Sequence, residues 1–136
     1  MSHVPHVIVY YRGLPTKHIN HLKPWLAHIV AFALSSKDNL KDFPQEEWNI
    51  EVSAKQVMVT EYAAKAGDTN VPPLAIHINA GEKRERDDNK VLRHIAIKLH
   101  IEQRWIMDFC PFGDVEIVIM FHGENGFAKM KDFGLS

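Results

Sequence analysis

Two nine-residue stretches, Pro5–Gly13 and Pro73–Gly81, narrow the folds open to this chain. Each has a proline, an isoleucine three residues on and a glycine eight residues on. The first reads Pro-His-Val-Ile-Val-Tyr-Tyr-Arg-Gly, the second Pro-Leu-Ala-Ile-His-Ile-Asn-Ala-Gly, and they lie half of the 136-residue chain apart. Each is a strand signal opened by proline and closed by glycine, with a helical pattern and a further strand after it. Self-similarity of elements at a fixed spacing marks an internal repeat, here spanning about 5–62 and 73–122 within a single domain of residues 1–136.

Composition bounds the function classes. With 46% apolar and 24% charged residues, the sequence is ordinary for a globular domain. A formal charge of −1 supplies no general pull toward nucleic acid or an anionic membrane. The charged run after Gly81 balances itself: Lys83, Arg84, Arg86 and Lys90 are matched by Glu82, Glu85, Asp87 and Asp88. A nucleic-acid footprint would not be neutralised in place, so this run reads as a solvated loop leading into a helix. No apolar run approaches the roughly 20 residues that span a bilayer. The start lacks the regions of a signal peptide, and one cysteine, Cys110, makes no internal disulfide. Cytoplasm is the expected location.

Taken in order, Val7 to Tyr11 is β-branched and aromatic throughout, which suits a strand buried on both faces. Thr16 is the expected N-cap of a helix whose apolar residues Ile19, Leu22, Leu26, Ile29, Val30 and Ala33 recur at helical spacing. Pro24 is expected to kink that helix or to mark its proper start near Lys23, and the helix should end near Ser35-Ser36. Lys37–Glu47 reads as a surface connection. The alternation from Ile50 to Val59, with a phase slip at Lys55-Gln56, predicts a long bulged strand. A loop over Ala66–Asn70 leads to a third strand, Leu74–Ala80, with Leu74, Ile76 and Ile78 on one face and Ala75, His77 and Asn79 on the other.

Asp87 or Asp88 can cap a second helix that buries Val91, Leu92, Ile95, Ala96 and Leu99. Trp105–Gly113 is apolar but interrupted by Pro111 and Gly113. The fourth strand is Val115–Phe121, and Gly123–Gly126 turns into a short strand, Phe127–Met130. The expected architecture is α/β (α+β): duplicated β-α-β units forming a four-stranded mixed sheet, two helices on one face, and a C-terminal hairpin arm.

The nine histidines raise a metal reading, since His18 and His21, or His21 and His28, can share a helix face. Four-ligand spacing with Cys110 is missing, so no metal and no cofactor are expected. Cys110, before Pro111 in an apolar stretch, reads as a packed thiol. Neither a G-x-S-x-G elbow, a P-loop nor a G-x-G-x-x-G motif is present. Arg12 at a strand end can clamp a carboxylate, Lys41 and Lys55 can do the same from a cleft, and backbone N–H groups near Gly81 can hold an anion. Phe127 can wall an apolar pocket.

A duplicated β-α-β unit whose first strand opens on Pro5-His6 and closes on Arg12-Gly13, with a proline-interrupted helix and the Pro73–Gly81 strand before helix two, resembles the tautomerase superfamily. That superfamily includes macrophage migration inhibitory factor-like proteins and carboxymethyl-hydroxymuconate isomerases. The sequence looks closest to a bacterial branch whose members begin Met-Pro-His. The resemblance implies a homotrimer, with the hairpin arm extending a neighbour's sheet, that binds a small keto-enol carboxylate. It implies an N-terminal proline, here Pro5, whose amine shuttles a proton between carbon and oxygen. Ala80 and Gly81 would supply backbone donors beside it, Arg12, Lys41 or Lys55 the cation, and Phe127 an apolar wall.

The sequence departs from that pattern where it matters most. Pro5 follows Met1-Ser2-His3-Val4, so its nitrogen is an amide in the chain as written. Val4 stands where a GTG codon could initiate translation and give Met-Pro-His. Two other readings stay open: a non-catalytic member that binds a small molecule or protein in the same pocket, and a ferredoxin-like binding domain, which shares the element order.

Overall fold

The computed structural model describes residues 5–35, 52–81, 88–122 and 130–134. Strand β1 (His6–Tyr11) leads into helix α1 (Thr16–Ser35), and strand β2 (Met58–Ala63) completes the first unit. Strand β3 (Leu74–Gly81), helix α2 (Asp88–Glu102) and strand β4 (Val115–His122) repeat the plan. The sheet order is β2-β1-β3-β4. β1 pairs with β2 in parallel, β3 with β4 in parallel, and the two central strands β1 and β3 run antiparallel. Each strand therefore lies beside the one its own helix connects it to. In the ferredoxin-like sandwich the β-α-β units are split by an intervening strand, so the shared element order resolves against that alternative.

The β1–α1 junction turns on Gly13, whose φ of 78° is left-handed and free of strain only for glycine. Helix α1 buries Ile19, Leu22, Leu26, Ile29, Val30, Ala31, Ala33 and Leu34, a wide stripe lying on the sheet. The Pro15 carbonyl accepts the first helical bond, from Ile19 N–H at 3.3 Å, so Pro15 and not Thr16 holds the cap position. Pro24 sits inside a helix that continues through it. Pro24 has no N–H for the Asn20 carbonyl, and both residues are exposed, which leaves that oxygen on the water side of the helix. In α2 the buried stripe is Val91, Ile95 and Leu99, with Leu92 half-buried; Ala96, expected inside, is exposed because it lies on the far side of the helix from the sheet.

β1 is not covered on both sides. Val7, Val9 and Tyr11 are buried under the helices, whereas His6, Ile8 and Tyr10 alternate with them on the helix-free face. That face continues across the sheet as Met58, Thr60 and Tyr62 on β2, His77 and Asn79 on β3, and Val118 and Met120 on β4. Four of its apolar members are open: Met58 is 51% exposed, Tyr62 54%, Val118 41% and Met120 55%. The β-branched run in β1 thus reports a face that this chain's own helices leave bare.

The repeat holds at the level of elements, but the two proline-to-glycine stretches are not in structural register. Ile8 points to the helix-free face, paired across from His77, while its sequence counterpart Ile76 is buried under the helices opposite Val9. Matching inward faces requires a shift of one residue, and a one-residue slip exchanges every side chain between faces.

The second strand also differs from expectation. Instead of a bulge, Ala54–Gln56 forms a 3-10 turn capped by Ser53, and β2 begins only at Met58. Two further 3-10 turns, Arg104–Asp108 and Phe112–Asp114, occupy the segment broken by Pro111 and Gly113. The expected Phe127 strand and its hairpin lie outside the described residues, except Met130, which opens a 3-10 turn over Met130–Phe133. No helix among the described residues is long and apolar enough to cross a membrane.

Where α1 meets α2, the His94 ring lies 5.2 Å from that of Phe32, and its buried Nε2 has no hydrogen-bond partner among the described residues. Burial, and secondarily the Lys98 charge, hold this imidazole below its ordinary pKa. The unfolded chain therefore binds a proton that the folded chain refuses, and stability falls as pH drops below about 6.5 toward the lowered folded value. Replacing His94 with leucine (H94L) should flatten that slope relative to wild type. Urea denaturation at pH 7, 6 and 5 checks it: equal slopes in both proteins would contradict the assignment.

Candidate active site

Pro5 is buried at the head of β1. Proline is tolerated there because the first residue of a strand need not donate to the ladder. Its carbonyl does take part, accepting the Met58 N–H at 2.9 Å. One step before the His6–Met58 pair the parallel register sets Val57 beside it, just ahead of β2, and one step beyond the His6–Asn79 pair the antiparallel register sets Ala80 beside it on β3. Val57 and Ala80 are both buried, so the immediate walls are apolar.

Strand directions bring several further groups to this end. α1 finishes here, β2 starts here, and β3 and β4 finish here with Gly81 paired to His122. Lys55 stands in the 3-10 turn immediately before Val57, exposed, and makes no ion pair among the described residues. Pro5, Lys55, Ala80 and Gly81 are thus gathered at one edge of the sheet.

Arg12 is not brought to them. It follows the opposite end of β1, seven residues from Pro5, or about 23 Å of extended chain. Its Nε donates to the Val71 carbonyl at 2.9 Å and its backbone N–H to the Pro73 carbonyl at 3.1 Å, so it secures the approach to β3. Lys41 and Phe127 lie outside the described residues.

The turn before Val57 went unread in the sequence. Ser53 Oγ accepts from Lys55 N–H at 3.3 Å, and Gln56 Oε1 accepts from Ser53 N–H at 2.8 Å, a reciprocal cap. Its signature, Ser-x-x-Gln at Ser53–Gln56, is visible in the sequence but was masked by the surrounding apolar alternation. On the helix-free face, His6 Nε2 lies 2.9 Å from Thr60 Oγ1.

No three histidine, cysteine, aspartate or glutamate side chains among the described residues are placed to hold a metal ion. His18 packs on Trp105 at 4.8 Å and Phe109 at 5.6 Å, while His21 and His28 are exposed. A groove of about 350 Å³ lies between the helices, lined by Trp25, His28, Ile29, Phe32, Lys98 and Glu102. Three of its polar groups, Trp25, Lys98 and Glu102, already serve one another. Trp25 Nε1 donates to Glu102 Oε2 at 2.6 Å and Lys98 reaches Oε1 at 3.4 Å; the tryptophan bond foremost lowers the carboxyl pKa. The Pro5 edge is the better chemical candidate, because its cation makes no ion pair among the described residues.

No family model matches the sequence, and no curated protein matches it. Solved structures do match in fold. A structure described as F6 fused 4-OT wild type asymmetric trimer aligns with a TM-score of 0.60 at 13% identity, over 91% of each chain. Q0 fused 4-OT wild type symmetric trimer aligns at 0.57 and 11% identity, over 91% of this chain and 90% of that one. Pt0534, in a crystal structure of the protein inactivated by 2-oxo-3-pentynoate, aligns at 0.56 and 13% identity over 91% of each chain. The chain has the tautomerase fold. At these identities the likeness speaks for the tautomerase backbone, and the β2-β1-β3-β4 sheet with its two helices is the part it supports.

Within the tautomerase fold Cys110 is a packing residue: 2% exposed, its Sγ donating to the Ile106 carbonyl at 3.6 Å. Burial, then the nearby Asp114 charge, push its thiol pKa up. Because the thiolate is the reactive form, iodoacetamide labelling of the native protein at pH 8 should run at least about tenfold slower than in urea. Equal rates would show an accessible thiol instead.

Proposed function

We propose that the chain is a homotrimeric tautomerase of small oxo-carboxylates, with Pro5 as general base when its amine is free. The observation that carries this reading is the seating of Pro5, buried at the head of a central strand between Val57 and Ala80, its carbonyl fixed by Met58. Apolar surroundings disfavour an ammonium, so a free proline amine there would be neutral and basic at neutral pH. It would take the proton from one atom of an enol or keto acid and return it to another, ending unchanged. Lys55 would hold the substrate carboxylate, and backbone N–H groups at Ala80–Gly81 would meet the developing enolate.

The trimer is supported by the bare apolar sheet face and by two structural neighbours described as trimers. Apolar side chains of that size are ordinarily covered, and Met and Tyr are enriched where subunits meet. A second reading has its own observation: Pro5 follows Val4 in the sequence, and an amide nitrogen is no base. With residues 1–4 retained, the same pocket would bind its ligand without turnover.

A chain beginning Met-Pro-His should ketonise phenylenolpyruvate after methionine removal, and replacing Pro5 with alanine should lower the rate about a hundredfold or more. The full chain should be inert. An inactive trimmed chain would leave the binding reading, and intact mass of natively produced protein retaining Ser2-His3-Val4 would sink proline catalysis. Pt0534 is inactivated by 2-oxo-3-pentynoate; the same reagent should modify the trimmed chain on Pro5, as located by peptide mapping. For the assembly, Tyr62→Asp should yield monomers in sedimentation, and a persistent trimer would move the interface elsewhere.

A further inference from the structure

The segment that presents Lys55 is tied down more firmly than a strand connection requires. The alternation Val52, Ser53, Ala54 could have run straight into β2. Instead, Ser35 at the last turn of α1 grips both backbone groups of Val52: its Oγ accepts the Val52 N–H at 2.7 Å and donates to the Val52 carbonyl at 3.4 Å. The Ser53–Gln56 cap follows at once, closed by Gln56 N–H to the Ser53 carbonyl at 2.9 Å and Val57 N–H to the Ala54 carbonyl at 3.2 Å. Met58 N–H then reaches the Pro5 carbonyl at 2.9 Å. A short hydrogen-bonded path therefore runs from the end of α1, through Lys55, to Pro5.

Lys23 and Lys98 are held by Glu61 and Glu102, whereas Lys55 has no carboxylate partner among the described residues. A lysine stem has rotamer entropy to lose on binding. A fixed backbone beneath it leaves only the side chain to order.

We propose that Ser35 and Gln56 are positioning residues that set the Lys55 ammonium toward the carboxylate of a ligand at the Pro5 edge. The inference rests on the reading of that edge as an oxo-carboxylate site, and it adds that recognition of the negative charge depends on a hydroxyl at the end of α1.

The test is calorimetric binding of phenylpyruvate and of its uncharged methyl ester to the full chain, which needs no free proline amine. Wild type should prefer the acid, and Lys55→Met should abolish that preference. Ser35→Ala, and independently Gln56→Ala on the exposed side of the turn, should weaken acid binding about three- to tenfold while leaving the ester unchanged. Ser35→Thr, which keeps the hydroxyl, should restore the acid, and Ser35→Ala should add no further loss of acid binding in the Lys55→Met background. Equal losses for acid and ester, or a Ser35→Ala effect that survives without Lys55, would reduce both residues to structural ones and overturn the inference. Normal acid binding by every variant would overturn it too, leaving the oxo-carboxylate reading intact. Failure of wild type to bind the acid would remove both.

Discussion

Everything in this sheet depends on the antiparallel pairing of its two central strands, from His6 opposite Asn79 to Tyr11 opposite Leu74. Val7, Val9, Leu74, Ile76 and Ile78 along that seam are at most 1% exposed. Burying each such side chain contributes about 1.5–3 kcal/mol. Because β1 and β3 run in opposite directions, the start of one meets the end of the other. Each β-α-β unit then lays its outer strand in parallel against its own central strand. The same edge thus collects the head of β1, the end of α1, the turn into β2 and the last residues of β3. Pro5, Lys55, Ala80 and Gly81 share an edge for this reason, and Arg12 is sent to the other one.

The pairing also makes the sheet two-sided. Both helices lie on one face, and the other is left with Met58, Tyr62, Val118 and Met120 in the open. That face is organised rather than merely bare. Tyr10 contacts Tyr62 at 5.9 Å and His77 at 4.9 Å between ring centroids, and His6 is tied to Thr60. Rigid aromatics have little side-chain entropy left to lose, so these contacts hold the face in one arrangement. Some of its polar groups gather at the Pro5 end: the register sets His6 and Asn79 between Met58 and Met120, and Thr60 stands in the next row, level with His77.

The element order, the sheet and its one-sided helices were legible in the sequence because hydrophobic period and turn residues agree along most of the chain. Every α1 residue expected inside is buried, with Ala31 and Leu34 added to them, and the two faces of β3 divide as expected. What failed had definite physical causes. Five consecutive β-branched or aromatic residues in β1 read as burial on both sides, since Ile8 and Tyr10 on the helix-free face have the same composition as Val7, Val9 and Tyr11 in the core. The Pro-x-x-Ile match suggested a register that the alternation of Ile8 and Ile76 rules out, because identity of residue type carries no information about facing. Between Val52 and Gln56 two local signals competed, and the hydrogen bonds of a capping box outweighed the alternation. The position of Arg12 relative to Pro5 could only follow from strand length: a loop-end arginine and a strand-start proline on one strand are held apart by the strand itself.

Pro5 separates scaffold from chemistry within a single residue. Its carbonyl works for the sheet by accepting from Met58, and that bond is indifferent to what precedes the nitrogen. Its nitrogen carries no N–H when acylated, so no ladder hydrogen bond is lost by having a residue before it. The basicity of that nitrogen, by contrast, depends wholly on what precedes it: in an amide the lone pair is delocalised into the neighbouring carbonyl, while in a terminal secondary amine it is free. One peptide bond therefore decides whether this nitrogen is a base, without moving any element of the fold. The geometry around Pro5 is compatible with both states for the same reason that proline is suited to open the strand.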